Sequence, residues 1–264
     1  MVIGFIGLGN MAKAMIGGIL DKNIVSADNI IGSAKTKETC EYVEQKFRIQ
    51  TKECNKEVAK EADVIILAVK PQFFPQVIAE IRDDVDESKL AISIAAGKTI
   101  GWIEETFEKK IKLIRVMPNT PALVGMGCSG VCRNERVSDE DLLFALRLLK
   151  SFGSASVVTE NLMDVVGAVS GSGPSYVFMF IEALADAAVE GGMPRKDAYD
   201  FAAQTLMGSA KMVLETGKHP GELKDMVCSP GGTTIAAVRT LEEKGMRGAV
   251  MDAVKACIDK TKKL

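Results

Sequence analysis

Six residues near the start of the chain, Gly7, Leu8, Gly9, Asn10, Met11 and Ala12, spell GxGxxA between an apolar run and a helical pattern. In that setting the first glycine makes a tight turn, the second lets a pyrophosphate approach the backbone, and the alanine permits close helix packing. The helix N-terminus that follows attracts the anion. Glycines also suit a strand-to-helix turn for backbone reasons alone, but the flanking elements favour a dinucleotide site. An NAD site would carry a carboxylate roughly 20 residues beyond the glycines. Here the stretch reads Gly32, Ser33, Ala34, Lys35, Thr36, Lys37. Hydroxyls and two cations suit the 2′-phosphate of NADPH, with NADH as second choice. The same residues also suit a solvated helix start capped by Ser33 or Thr36.

A second glycine turn, Ser229, Pro230, Gly231, Gly232, Thr233 and Thr234, precedes the helical run Ile235 to Lys244. Open backbone N–H groups and adjacent hydroxyls at a helix start can hold a small carboxylate, through charge-assisted bonds worth about 1.5 to 3 kcal/mol each. A capped helix after a turn has the same sequence appearance. Lys70 and Pro71 end the most apolar strand, where parallel sheets place their ligand sites. Ala95, Ala96 and Gly97 end the next and are small enough for a flat ring to approach; either segment also reads as an ordinary loop. Met117, Pro118, Asn119, Thr120 and Pro121 form a proline-fixed polar turn. His219, between Lys218 and Pro220, reads as a solvated loop histidine.

That histidine is the only one in 264 residues, so a Ser/His/Asp triad would have to use it and multi-histidine metal sites are excluded. No metal is expected. Cys40, Cys54, Cys128, Cys132, Cys228 and Cys257 lack CxxC spacing and read as reduced thiols of a cytoplasmic protein. The net charge of −2 offers no field for a polyanion, so nucleic acid is not an expected partner. Residues 1 to 9 have no basic n-region, and no apolar run approaches the roughly 20 residues that span a bilayer. A soluble protein without a membrane partner is expected.

The elements that must position these groups fall into two kinds. Up to about Val158, short apolar runs alternate with amphipathic stretches, as in βα units of a largely parallel, doubly wound sheet. Strands are expected at Val2 to Ile6, Asn29 to Gly32, Val64 to Val69, Leu90 to Ile94, Lys112 to Val116 and Gly130 to Cys132. The unbroken run Val64 to Val69 implies cover on both faces. After Asn161 helical patterns take over, giving a dinucleotide-binding domain over 1–160 and an all-helical domain over 161–264. The helix from Ser175 to Glu190 is apolar nearly all round, and a domain of about a hundred residues has too little interior to cover it. Burial against a second copy of the chain is expected.

Taken in order, VIGFIGLGNMAKAM at the start, LAVKPQ at Leu67 to Gln72, SIAAG at Ser93 to Gly97, RVMPNTPALVGMG at Arg115 to Gly127, SGSGPSYVF at Ser170 to Phe178 and HPGELKDMVCSPGGTTI at His219 to Ile235 resemble pyrroline-5-carboxylate reductase. The resemblance implies an N-terminal Rossmann domain, a C-terminal helical dimerisation domain with a homodimer or larger homo-oligomer, and reduction of 1-pyrroline-5-carboxylate to L-proline by NAD(P)H, the final step of proline biosynthesis. It assigns Gly7 to Ala12 to the pyrophosphate and Ser33, Lys35 and Asn55 to the adenosine ribose or its 2′-phosphate. Ala68, Val69, Lys70 and Pro71 with Ala95 to Gly97 would line the path to the nicotinamide. Gly232, Thr233 and Thr234 would bind substrate, Thr234 as the catalytic hydroxyl, with Glu160 as an added substrate contact. Met226 stands where some relatives place a polar Asn. Two other readings use the same glycine turn. A β-hydroxyacid dehydrogenase would need a Lys that the helix from Ser175 to Glu190 lacks, and a non-catalytic NADPH-binding protein would need no second anion turn.

Overall fold

The computed structural model describes residues 1–262. Eight strands form one sheet: β1 (Ile3–Ile6), β2 (Ile30–Ser33), β3 (Gln50–Thr51), β4 (Val64–Leu67), β5 (Leu90–Ser93), β6 (Lys112–Met117), β7 (Gly127–Arg133) and β8 (Gly153–Val157). Their order is β3-β2-β1-β4-β5-β6-β7-β8, and every neighbouring pair is parallel except β6 with β7. Register is held along the centre, with Ile3 to Ile6 of β1 set beside Val64 to Leu67 of β4. The helices are α1 (Asn10–Asp21), α2 (Lys37–Phe47), α3 (Asn55–Glu61), α4 (Phe74–Ile81), α5 (Ile100–Phe107), α6 (Asp139–Leu149), α7 (Met163–Val166), α8 (Gly173–Glu190), α9 (Arg195–Thr216), α10 (Pro220–Val227), α11 (Thr233–Glu243) and α12 (Met246–Thr261).

Alternation along the strands builds two cores. Ile3, Phe5, Val64 and Ile66 face the side packed by α1, α2 and α6, while Ile6, Ile65 and Leu67 face the side packed by α3, α4 and α5. The expected two-sided cover of the Val64 run follows from this, since a parallel strand between crossover helices has no wet face. β4 nevertheless ends at Leu67; Ala68 N still donates to the Ile6 carbonyl of β1 at 2.9 Å, and Val69 lies beyond the strand. Two strands escape the periodicity argument. β3 has two residues, and β8 reads Gly-Ser-Ala-Ser-Val at the sheet edge, where it pairs with β7 alone and needs no apolar run.

The described chain divides into two compact units, Met1–Ser172 with residues 258–262, and Gly173–Cys257. The first continues past Asn161 for physical reasons. Met163 is buried among the α3–α5 core, Val166 fills the space over Gly130, and Asn119 donates from Nδ2 to the Ser170 carbonyl at 2.9 Å. The second unit is helical, and α8 packs on α9 around Ala185, Ala198 and Ala202. Among the described residues no helix is long and apolar enough to cross a membrane.

Candidate active site

Gly7 leaves β1 with φ +95°, and a Cβ built there would lie 2.9 Å from the Ala68 backbone. Both the left-handed conformation and the close approach require glycine. Gly9 differs. Its φ of −73° is open to any residue, and nothing lies within 4 Å of a built Cβ. Crowding inside the protein therefore does not explain its missing side chain, whereas a ligand seated on the backbone does. Gly9 is also the N-cap of α1 without any side-chain cap, so the first N–H groups of that helix are open to an anion.

These residues open into a cavity of about 630 Å³ at the carboxyl ends of β1, β2 and β4, the point where strand order reverses. Of the residues expected to hold a cofactor, Gly7, Leu8, Gly9, Ser33, Lys35, Asn55, Ala68, Val69 and Lys70 line it. Asn10, Met11, Ala12, Pro71, Ala95, Ala96 and Gly97 do not. Asn10 to Ala12 form the first turn of α1, where Ala12 is buried, and Pro71 opens a short helical turn after Lys70. Ala95 to Gly97 follow β5, the strand next to β4.

At the far end, Ser33 is buried as the last residue of β2 and donates from Oγ to Asn55 Oδ1 at 2.7 Å. Asn55 Nδ2 donates in turn to Glu80 Oε2 at 2.6 Å, and Gln76 Nε2 to Glu80 Oε1 at 3.1 Å. Thr36, not Ser33, caps α2. Glu80, Gln76, Thr39 and Lys13 escaped sequence reasoning although they line the cavity. Glu80 lies 25 residues from Asn55 on another helix, and no local spacing signals that meeting. Lys13 Nζ sits 4.4 Å from the centre of the Tyr42 ring.

Glu160 is engaged inside the first unit. Its Oε1 accepts from Ile100 N at 2.7 Å and from Arg115 Nη1 at 3.1 Å, with Asp164 Oδ1 3.7 Å from Arg115 Nη2. Beside this pair burial pushes the Cys132 thiol up to about 11; the Glu160 charge adds to the shift and Arg115 opposes it.

The second glycine turn folds as a helix start. Gly231 has φ +66°, Gly232 caps α11, and a Cβ at Gly232 would strike Ser229 Oγ at 2.3 Å. The helix begins at Thr233, two residues before the run read from sequence, so Thr233 and Thr234 occupy its first turn. No side chain caps it, which leaves their N–H groups available to a carboxylate. His219, expected as a solvated loop residue, is exposed but caps α10, with Nδ1 accepting from Gly221 N at 3.0 Å. Met226 is 63% exposed and contributes no polar group.

The parallel order β3-β2-β1-β4-β5-β6 with a glycine turn at its reversal defines a Rossmann-type dinucleotide-binding protein joined to a helical unit. Residues 2–97 match the family described as NADP oxidoreductase coenzyme F420-dependent, and residues 160–264 match pyrroline-5-carboxylate reductase dimerisation. The chain is 51% identical to the pyrroline-5-carboxylate reductase of Escherichia coli over 99% of its length and 97% of that protein's. A solved pyrroline-5-carboxylate reductase of Coxiella burnetii superposes with TM-score 0.93 at 34% identity, covering 99% of this chain and 97% of that one. The Plasmodium falciparum pyrroline carboxylate reductase solved with NADP bound gives 0.89 at 36%, covering 100% and 97%. The chain belongs to the pyrroline-5-carboxylate reductase family.

Proposed function

We propose that this chain reduces the C=N bond of 1-pyrroline-5-carboxylate to give L-proline, with NADPH as reductant and NADH as a poorer substitute. The observation that carries the reading is family membership over nearly the whole chain, at 51% identity to the Escherichia coli protein. The open space over Gly9 supports a bound dinucleotide. When bound, NADPH supplies a hydride from nicotinamide C4.

The chain's own residues then have these tasks. The N–H groups of Gly7 to Ala12 hold the pyrophosphate, and Ser33, Lys35 and Asn55 hold the ribose 2′-phosphate. Ala68 to Pro71 and Ala95 to Gly97 flank the nicotinamide. Gly232, Thr233 and Thr234 fix the substrate carboxylate through backbone N–H groups, and the Thr234 hydroxyl hydrogen-bonds the ring nitrogen. A protonated imine is already electrophilic at carbon, so holding two reactants in place supplies most of the acceleration. One histidine, used as a helix cap, is no handicap to such chemistry.

The active species in this reading is a homodimer built through 161–264, with 1–160 as the dinucleotide-binding part. Steady-state oxidation of NADPH and NADH by 1-pyrroline-5-carboxylate tests it, with reduction of NADP+ and NAD+ by a hydroxy acid as control. The expected result is turnover with the imine alone and a lower KM for NADPH; turnover of the hydroxy acid instead would overturn the reading.

A further inference from the structure

Glu160 joins three parts of the first unit that the sequence keeps far apart. Ile100, whose N–H it accepts, is the first residue of α5, and the two are 60 positions apart. The first turn of α5 holds no acidic residue of its own, so the carboxylate that a helix start attracts arrives from elsewhere in the fold. Thr99 Oγ1 accepts from Trp102 N at 3.1 Å and completes the cap. Behind Glu160 stands Arg115 of β6, only 4% exposed.

The segment thus anchored connects β5 to α5 and contains Ala95, Ala96 and Gly97. At its other end Ala95 N donates to the buried Ser93 Oγ at 3.3 Å, and between the anchors Gly97 turns at φ +73°. The turn has one tether to its own strand and one to a residue held by a different strand. We infer that the Arg115–Glu160 pair positions the Ala95–Gly97 turn, and through it the ring laid against that turn in the proposed function, on which this inference rests. Glu160 is thereby a positioning residue.

Arg115 is shared with Asp164, so removing Glu160 leaves the buried guanidinium a carboxylate, and Glu160 substitutions can be tested without stranding an unpaired charge. The test uses the full chain as Glu160→Ala and Glu160→Gln, since Gln retains an acceptor for Ile100 N. Amide hydrogen exchange over residues 95–103 without ligand should run about tenfold or more faster in the Ala variant and near the wild-type rate in the Gln variant. With NADPH and 1-pyrroline-5-carboxylate, kcat should fall about tenfold or more in the Ala variant and recover to within about threefold in the Gln variant, with both KM values moving less than about threefold. The isotope effect on kcat with 4-deuterated NADPH should rise in the Ala variant as hydride transfer slows. Unchanged exchange over 95–103 overturns the inference whatever the activity. A raised KM for the imine in both variants also overturns it, since direct contact of the carboxylate with substrate predicts that. A wild-type chain that turns over no imine, with exchange behaving as expected, would sink the proposed function and leave the tether standing.

Discussion

In the first unit Phe5, Phe74, Phe107 and Phe152 are all buried to within 1% of full cover, on one face of the sheet or the other. In the second the buried apolar residues are Ala185, Ala198 and Ala202, while Phe178, Phe201 and Leu214 stand 60%, 65% and 83% exposed. Similar side chains meet opposite fates because a sheet with helices on both faces encloses its own apolar surface, whereas a short helical array with an apolar-all-round helix cannot. Exposed apolar surface on that scale marks an interface. The difference teaches that one unit is complete within a single chain, and that the other, whose sequence matches a dimerisation family, is finished by association under the proposal above.

The strongest blow to this contrast is aimed at the exposed helices. Phe178→Asp with Leu214→Asp places charges where the proposed dimer buries apolar surface, at a cost of several kcal/mol (~4 or more). Light scattering should then give the single-chain mass of 28.3 kDa in place of a multiple of it. A wild-type chain already at 28.3 kDa would erase the contrast. Next, Phe107→Ala should destabilise the first unit by about 3–5 kcal/mol at any protein concentration. Phe178→Ala should give a loss that deepens on dilution, because it weakens association, and melting curves at two concentrations separate the cases.

Inside the first unit the two glycines of the cradle sharpen the picture. Gly9→Val should weaken NADPH binding about tenfold or more, with a melting temperature within about 2 °C of wild type, because it occupies ligand space and no protein space. Gly7→Ala should cost more than the ~1–2 kcal/mol of its positive φ alone, because the new Cβ also meets the Ala68 backbone at 2.9 Å; denaturant titration reads the loss. The smallest effect concerns Cys132. Its thiol ionises near pH 9 when unfolded and about 11 when folded, so stability should fall as pH rises through that window and level off above it. Cys132→Ser should flatten that part of the stability–pH curve.

Much of this architecture was legible beforehand because its signals are local. The Val64 run, the GxGxxA turn and the Ser229 to Thr234 turn each announce themselves within a few residues, and the structure puts a strand or a helix start at each. β8 was not legible, since an edge strand with one neighbour needs no apolar alternation. The compact unit around the sheet runs on to Ser172, past the change of pattern at Asn161, because Met163 and Val166 are helical in pattern yet pack against the sheet.

Local pattern determined the order of βα units, the two glycine turns and the apolar character of α8, since each depends on residues within one or two turns of chain. Only the tertiary structure decided that Glu80 meets Asn55 and that Glu160 meets both Ile100 and Arg115. Those partners come from different strands and helices. Their meeting depends on strand order and helix placement, which long-range packing selects and no spacing in the sequence encodes.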